Sequence, residues 1–480
     1  MNRRMIFYTV GRIITLEAGL LLLPMAVAFW YGESCAWDLL AAAAIALVVG
    51  LAMTRLSKPT SQTFFAREGF VIVALAWVFM SLIGMLPYLF SGEIPFWVDA
   101  FFETVSGFTT TGASILTNVE AMSHGLLFWR SFTHWIGGMG VLVLIMAIVP
   151  TETGRSIHIM RAEMPGPIVG KLMPRIKDTA QILYLMYVVL TVVQIVLLMA
   201  GGMPPFESIT HAMATAGTGG FSVKADCFAS YSPYLQWVTA IFMTLFGVNF
   251  NVYYLALRKK FKEILRSTEL WTYLGIILVA IVLVSISIST EYDTLEEIVR
   301  QSAFQVTSII TTTGYSSANF DLWPELAKNI LLILMFLGAC AGSTAGGLKI
   351  SRAILLVKMA RRELKRMIHP RSVGTVQFEG KRVSDATLNS VCMYFVLYVI
   401  IQVALTLFLC INPFSIETNL AAAASCFNNS GPGFGIVGPA SNYSYYNAIS
   451  KFVLAISMLF GRLEIYPMLL ALSPSTWTKE

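Results

Sequence analysis

The chain of 480 residues is 56% apolar and 12% charged, with a formal net charge of +6 and a mean hydropathy of +0.70. Its 33 Lys and Arg and 27 Asp and Glu are too few to cover a soluble protein of this size, in which about a quarter of residues are charged, and the apolar content equally excludes a disordered chain. Ten Trp, 18 Tyr and 31 Phe fit a membrane protein with aromatic residues at both interfaces.

Apolar stretches of about 20 residues, enough to cross a ~30 Å hydrocarbon layer at 1.5 Å per residue, recur along the chain. The first two, 9–31 and 37–54, form a pair within 1–66. Arg3 and Arg4 precede the first, and Ala26-Val27-Ala28 resembles a signal-peptide cleavage site. The stretch is long for a signal peptide and a second span follows at once, so it is expected to be retained. Four units follow, 67–155, 156–262, 263–385 and 386–480, each read as a span, an outside segment and a second span. Their spans are 68–90 with 129–150, 180–201 with 234–257, 270–290 with 328–357, and 388–411 with 449–472. The expected fold class is all-α integral membrane, with four span–pore helix–span repeats around a central pore plus two N-terminal spans.

Lys and Arg collect in 1–12, 55–67, 151–179, 258–269 and 349–387, whereas 91–128 and 412–450 hold none and 202–233 only Lys224. Cytoplasmic loops carry that excess, which places both termini inside.

Each outside segment opens on a short apolar, helix-like run and breaks into Gly, Thr and Ser. The breaks read Phe108-Thr109-Thr110-Thr111-Gly112-Ala113-Ser114, Ala216-Gly217-Thr218-Gly219-Gly220-Phe221-Ser222, Ile310-Thr311-Thr312-Thr313-Gly314-Tyr315-Ser316 and Asn429-Ser430-Gly431-Pro432-Gly433-Phe434-Gly435. Aligned on a Gly followed by Ala, Phe or Tyr, they place Gly112, Gly220, Gly314 and Gly433 in register, a fourfold internal repeat. Irregular backbone at membrane depth persists only inside protein or beside water, and four such loops can close into a ring whose carbonyl oxygens replace the hydration shell of a cation. Glycine reaches φ > 0 without a Cβ penalty. None of the four breaks holds Asp or Glu, which suits a large monovalent ion over a divalent one. The expected ion-lining residues are Thr110, Thr111, Gly112, Thr218, Gly219, Gly220, Thr312, Thr313, Gly314, Gly431, Pro432 and Gly433. Asp99, Glu103, Glu207, Glu296, Glu297 and Glu417 precede the loops. They read as caps that compensate the helix dipole, as a negative outer vestibule, or as both.

Span 328–357 is interrupted by Gly338, Ala339, Cys340, Ala341, Gly342, Ser343, Thr344, Ala345, Gly346 and Gly347. Gly338 and Gly342 alone fit a helix-packing face, while the dense small-residue run favours an unwound loop. Arg462 lies inside the last span, two residues from Glu464. That spacing does not pair them across a helix, and the Arg either meets a cavity or partner or snorkels to the interface. Arg130 is expected to cap an aqueous interface, and His211 to pack or make a local hydrogen bond. His124 and His134 stand alone. The run 361–366 anchors the inside face and can touch anionic lipid or a cytosolic subunit.

These residues resemble the Trk/Ktr/HKT superfamily of potassium transporters over essentially the whole chain. The two extra N-terminal spans and the run Ala339-Cys340-Ala341-Gly342-Ser343-Thr344-Ala345-Gly346-Gly347-Leu348-Lys349 are similar to its TrkH family of bacterial potassium-uptake subunits. The resemblance implies a potassium permease of the bacterial inner membrane, with a filter at Gly112, Gly220, Gly314 and Gly433. Gly rather than Ser at 112 goes with potassium selectivity. It further implies an intramembrane gate at 338–347, Arg462 beneath the filter against that gate, a homodimer, and a cytosolic TrkA-like nucleotide-binding regulatory subunit. The fourth loop departs from the others by having Gly431-Pro432 in place of Thr-Thr. A sodium- or proton-coupled cation symporter is the alternative. No HExxH, GxSxG or Walker sequence occurs, and Cys35, Cys227, Cys340, Cys392, Cys410 and Cys426 form no CxxC, so neither an enzyme, a resident cofactor nor a nucleic-acid partner is expected. Solute symporters usually show inverted repeats, whereas all four units here start from the inside.

Overall fold

The computed structural model describes residues 1–59, 66–140, 176–372 and 374–478, most of them helical. Among these, Arg3–Tyr31, Cys35–Leu56, Arg67–Ser91, Ala180–Ala200, Thr268–Ser287 and Asp385–Leu409 are long and apolar enough to cross a membrane. They correspond to the N-terminal pair and the first span of each repeat. The N-terminal helices cross closely at Gly11 and Gly50. A Cβ built on Gly50 would lie 2.8 Å from the Gly11 carbonyl oxygen, and one on Gly11 would lie 2.9 Å from that of Gly50, the close backbone approach that small residues permit between spans.

Four half-length helices, Trp97–Phe108, Pro205–Gly217, Leu295–Ile310 and Ile416–Asn428, fill the centre. Each opens with acid in its first turn, at Asp99, Glu207, Glu296 with Glu297, and Glu417, matching the positive end of the dipole. Thr294 and Ser415 cap the third and fourth by accepting from the Glu297 and Thr418 amides, the usual N-cap bond. Their C-terminal halves are largely buried, and in the fourth the buried stretch Ala421 to Ser425 is small throughout. Such faces are matched to other helices rather than to lipid.

The second spans differ from the sequence expectation, which held one of them broken. Pro233–Phe246 and Phe250–Leu257 bend by 89°. Glu325–Phe336 and Ile350–Ile368 are separated by residues 337–349, and Ala448–Arg462 and Tyr466–Leu472 by Leu463-Glu464-Ile465. Glu464 and Ile465 take φ of 54° and 69°, which no helix continues through. The first repeat's second span is described as His124–Met139. Its remainder to 150, the boundary at 155–156 and the basic loop from 151 to 175 lie outside the described residues. One strand pair occurs among the described residues, an antiparallel hairpin pairing Gln377 with Arg382 and Phe378 with Lys381, on the Lys/Arg-rich side.

Candidate functional site

The four half-length helices end alike. The residue one or two places past each end takes a left-handed φ, at Thr110 (55°), Thr218 (56°), Thr312 (54°) and Asn429 (59°). The next amide reaches back five residues, Thr111 to the Ser106 carbonyl, Gly219 to Ala214, Thr313 to Ser308 and Ser430 to Ser425, all at 2.8 to 2.9 Å. A glycine with positive φ follows, at Gly112 (79°), Gly220 (78°), Gly314 (81°) and Gly431 (87°). The fourth glycine in register is therefore Gly431 and not Gly433, a shift of two residues from the sequence alignment. That alignment followed the Gly-aromatic pair, but the fourth loop has two candidate glycines. Asn429, a residue type that tolerates left-handed backbone, takes the Thr position. Gly433 instead donates to the Val437 carbonyl at 2.7 Å, and Pro432 packs beside Gly314.

The loops close on one another. A Cβ on Gly112 would lie 2.0 Å from the Gly219 carbonyl oxygen, on Gly220 1.9 Å from Thr313, on Gly314 2.2 Å from Ser430, and on Gly431 2.7 Å from Thr111. First meets second, second third, third fourth, and fourth first. Within this ring the carbonyl oxygens of Thr110, Thr111, Thr218, Gly219, Thr312, Thr313, Asn429 and Ser430 accept no hydrogen bond from any described residue, and all eight residues are buried. Backbone acceptors left so are rare.

Behind the ring, buried side chains fix each junction. Glu103 pairs with Arg130 at 2.9 Å and accepts from Ser114 Oγ and the Ile115 amide. Arg130 reaches the Ser222 carbonyl at 3.2 Å and lies 4.0 Å over the Phe221 ring. It thus ties the first loop to the second rather than capping an interface, because Glu103, 27 residues away, supplies the buried partner a charge needs. His134 also bridges them. Its Nδ1 lies 2.7 Å from the Gly107 carbonyl and its Nε2 3.3 Å from the Phe221 amide, which assigns the proton to Nδ1. His211 meets the Glu207 carbonyl and Ser222 Oγ, and Tyr315 donates to the His211 and Phe221 carbonyls, joining the third loop to the second repeat. Asn429 donates to Thr111 Oγ1 at 2.9 Å, and the Gly435 amide donates to Asp321 at 3.0 Å. No spacing rule in the sequence pointed to His134 or Asn429. Their only signal was a polar side chain within an apolar or small-residue run.

Above the ring a cavity of about 150 Å³ is lined by Gly112, Gly220, Gly314, Gly431, Arg130 and Lys224, among others. The acids that precede the loops are absent from its wall. Asp99 is paired with Lys451, Glu207 with Tyr231 and Lys224, and Glu296 with Arg300 and Trp237. Asp99, Glu207 and Glu296 are thus each held by a partner at the start of their helices.

Below the ring lies the loop 337–349. Its base is closed by Gly338 donating to the Leu348 carbonyl at 2.8 Å. A Cβ on Gly338 would strike the Gly346 carbonyl at 2.1 Å, so this glycine packs within the loop and not on a helix face. Gly346 donates to Thr312 Oγ1 at 2.7 Å, which hangs the loop directly beneath the third break. Cys340 donates to the Gly247 carbonyl, and Phe250 to that of Gly342, both at 3.1 Å. Arg462 donates to the carbonyls of Thr344 at 2.6 Å, Gly137 at 2.6 Å and Gly138 at 2.7 Å. It points inward and does not snorkel, while Glu464 pairs with Arg352. A cavity of only about 40 Å³ remains among Gly138, Gly342, Ser343, Ala345, Gly346 and Arg462, little more than a water or two.

The family model described as TrkH, a cation transport protein, matches residues 39–479. The Trk system potassium uptake protein TrkH of Salmonella typhimurium is 35% identical, over 99% of this chain and 100% of that protein. The Trk system potassium uptake protein TrkG of Escherichia coli is 33% identical, over 99% and 98%. The crystal structure of the potassium transporter TrkH from Vibrio parahaemolyticus superposes with a TM-score of 0.90 at 31% identity and covers all of both chains.

Proposed function

Because the chain belongs to the TrkH family of cation transport proteins and is a multi-pass membrane protein rather than an enzyme, we propose that it carries potassium into the cell through the ring of four loops. The observation that supports this reading best is that the carbonyl oxygens of eight buried residues accept no hydrogen bond from any described residue. A dehydrated monovalent cation supplies the missing partner, and neutral oxygens hold it weakly enough to let it leave. Potassium sheds its water more cheaply than sodium, so a cage of fixed neutral oxygens favours the larger ion. The C-terminal ends of the four half-length helices add partial negative charge toward the same centre.

Loop 338–347 is the gate in this reading. It fills the space beneath the ring and is pinned there by Thr312, Arg462 and the bent second-repeat helix. Arg462 adds an electrostatic barrier to cations. The Trk system names of the relatives support a larger system, and the family resemblance extends this reading to a homodimer in the bacterial inner membrane with a cytosolic TrkA-like nucleotide-binding subunit on the Lys/Arg-rich side. That side and both termini then face the cytoplasm. The test is growth of a potassium-uptake-deficient bacterium on low potassium, followed by ion flux into liposomes holding the purified protein. Restored growth and flux of potassium and rubidium well above sodium and lithium are expected. Equal flux of all four ions, or none in a folded protein, overturns the reading.

A further inference from the structure

Loop 338–347 is also held from the side, by a contact that neither the ring nor Arg462 explains. The Ala341 amide, at its centre, donates to Glu269 Oε1 at 2.7 Å, and Glu269 is 5% exposed. Without that carboxylate the Ala341 amide is a buried donor with no acceptor. Glu269 is the second residue of the helix Thr268–Ser287, so its own amide has no partner within the helix. That amide donates to Glu379 Oε1 at 3.0 Å, which also accepts from Ser267 Oγ at 3.2 Å. Glu379 lies 110 residues downstream, in the turn of the hairpin 377–382.

The hairpin is built to hold that carboxylate still. Glu379 and Gly380 take φ of 48° and 71°, two successive left-handed residues as a tight two-residue hairpin turn requires. Its flanking Val376, Phe378 and Val383 are 4%, 4% and 6% exposed, and Lys358, on the helix that leaves the loop, donates to the Gln377 carbonyl at 2.8 Å. Beside this chain of contacts lies a cavity of about 460 Å³, walled by Ala341, Glu269, Glu379, Lys381, Ser351 and Asn249 among others. It gives the loop room to withdraw once the contact breaks.

We propose that Glu269 and Glu379 form a latch, through which the hairpin 377–382 holds loop 338–347 in place beneath the ring. Glu269 is the positioning residue that binds the loop, and Glu379 fixes Glu269. Anything that moves the hairpin on the Lys/Arg-rich side then reaches the loop through two hydrogen bonds. The step from loop movement to conduction rests on the gate reading above, and the experiment separates the two.

Hydrogen–deuterium exchange is measured over 338–345 in the full-length protein in liposomes, alongside potassium flux. Glu269→Ala should raise exchange there by about tenfold or more, since it removes the acceptor of the buried Ala341 amide, and Glu379→Ala should raise it in the same direction by freeing Glu269. Glu379→Gln and Glu269→Gln keep an acceptor oxygen and should stay near the parent. Unchanged exchange over 338–345 in a folded Glu379→Ala protein overturns the latch, and the exposure of Glu379 makes that variant the one to rely on if Glu269→Ala does not fold. Raised exchange with raised flux supports both latch and gate. Raised exchange with parental flux keeps the latch and removes the loop as gate.

Discussion

At Gly112 there is no space for a side chain, because the next loop's carbonyl occupies it at 2.0 Å and the backbone is left-handed. Gly112→Ser should push Gly219 aside and open the ring, lowering potassium-over-sodium discrimination about tenfold, equivalent to ~1.4 kcal/mol, read as relative flux in liposomes. Gly431→Ala should do the same through Thr111. Gly433→Ala should disturb discrimination less, since its Cβ meets Val437 Cγ2 at 2.8 Å and Ala421 at 3.3 Å and no carbonyl of the ring. That pair of alanines decides the register of the fourth loop. Glu103→Gln keeps the shape of the side chain but strands the Arg130 charge, at 2% exposure. Breaking such a pair costs about 3–5 kcal/mol, so the melting temperature in detergent should fall clearly. The partners of Arg130 were not legible in the sequence, because a helix-spacing rule sees three or four residues and this pair spans a helix, a loop and another helix.

Among the elements, the interrupted third-repeat span was legible because ten consecutive residues there are small and four of them are glycine. Deleting Ala341 to Ala345 should raise conduction several-fold, measured as potassium flux at equal membrane abundance. Flux that stays level or falls in a well-inserted protein makes the loop a packing element. Arg462 belongs to the same scale, since it joins the last span to the loop and to the first repeat. A unit charge ~6 Å from a permeating ion contributes roughly 3 kcal/mol at an effective dielectric of ~20, a ceiling that water lowers. Arg462→Ala should therefore raise basal flux and Arg462→Lys should largely preserve the barrier. Equal flux in all three proteins would sink the electrostatic role. The bend at Gly247-Val248-Asn249 and the break at Glu464-Ile465 were not legible, because short interruptions leave the apolar stretch looking continuous.

At the scale of the whole molecule, the N-terminal pair is a source of stability apart from the ring. The N-terminal helices pack against the first repeat, away from the ring, and depend on the Gly11–Gly50 crossing. Gly50→Val would set a Cβ within 2.4 Å of Thr15 Oγ1. Overpacking of that kind costs about 1–3 kcal/mol, so thermal stability should drop while the ratio of potassium to sodium flux stays at the parental value. A changed ratio would mean that the N-terminal pair shapes the ring after all.

Solvent and chain period alone determined the class of this protein. Apolar stretches of membrane length, basic residues gathered in alternate segments and a fourfold Gly-Thr repeat follow from what a bilayer tolerates, and each can be read locally. What needed the tertiary structure was every choice between equivalent local candidates. Gly431 rather than Gly433 closes the ring because the backbone of Asn428 to Ser430 ends its helix as the other three do. Arg130 turns inward because Glu103 awaits it, and Asn429 bonds Thr111 across 318 residues of chain. These contacts depend on how the repeats wrap around one axis, and no property of a short segment carries that path.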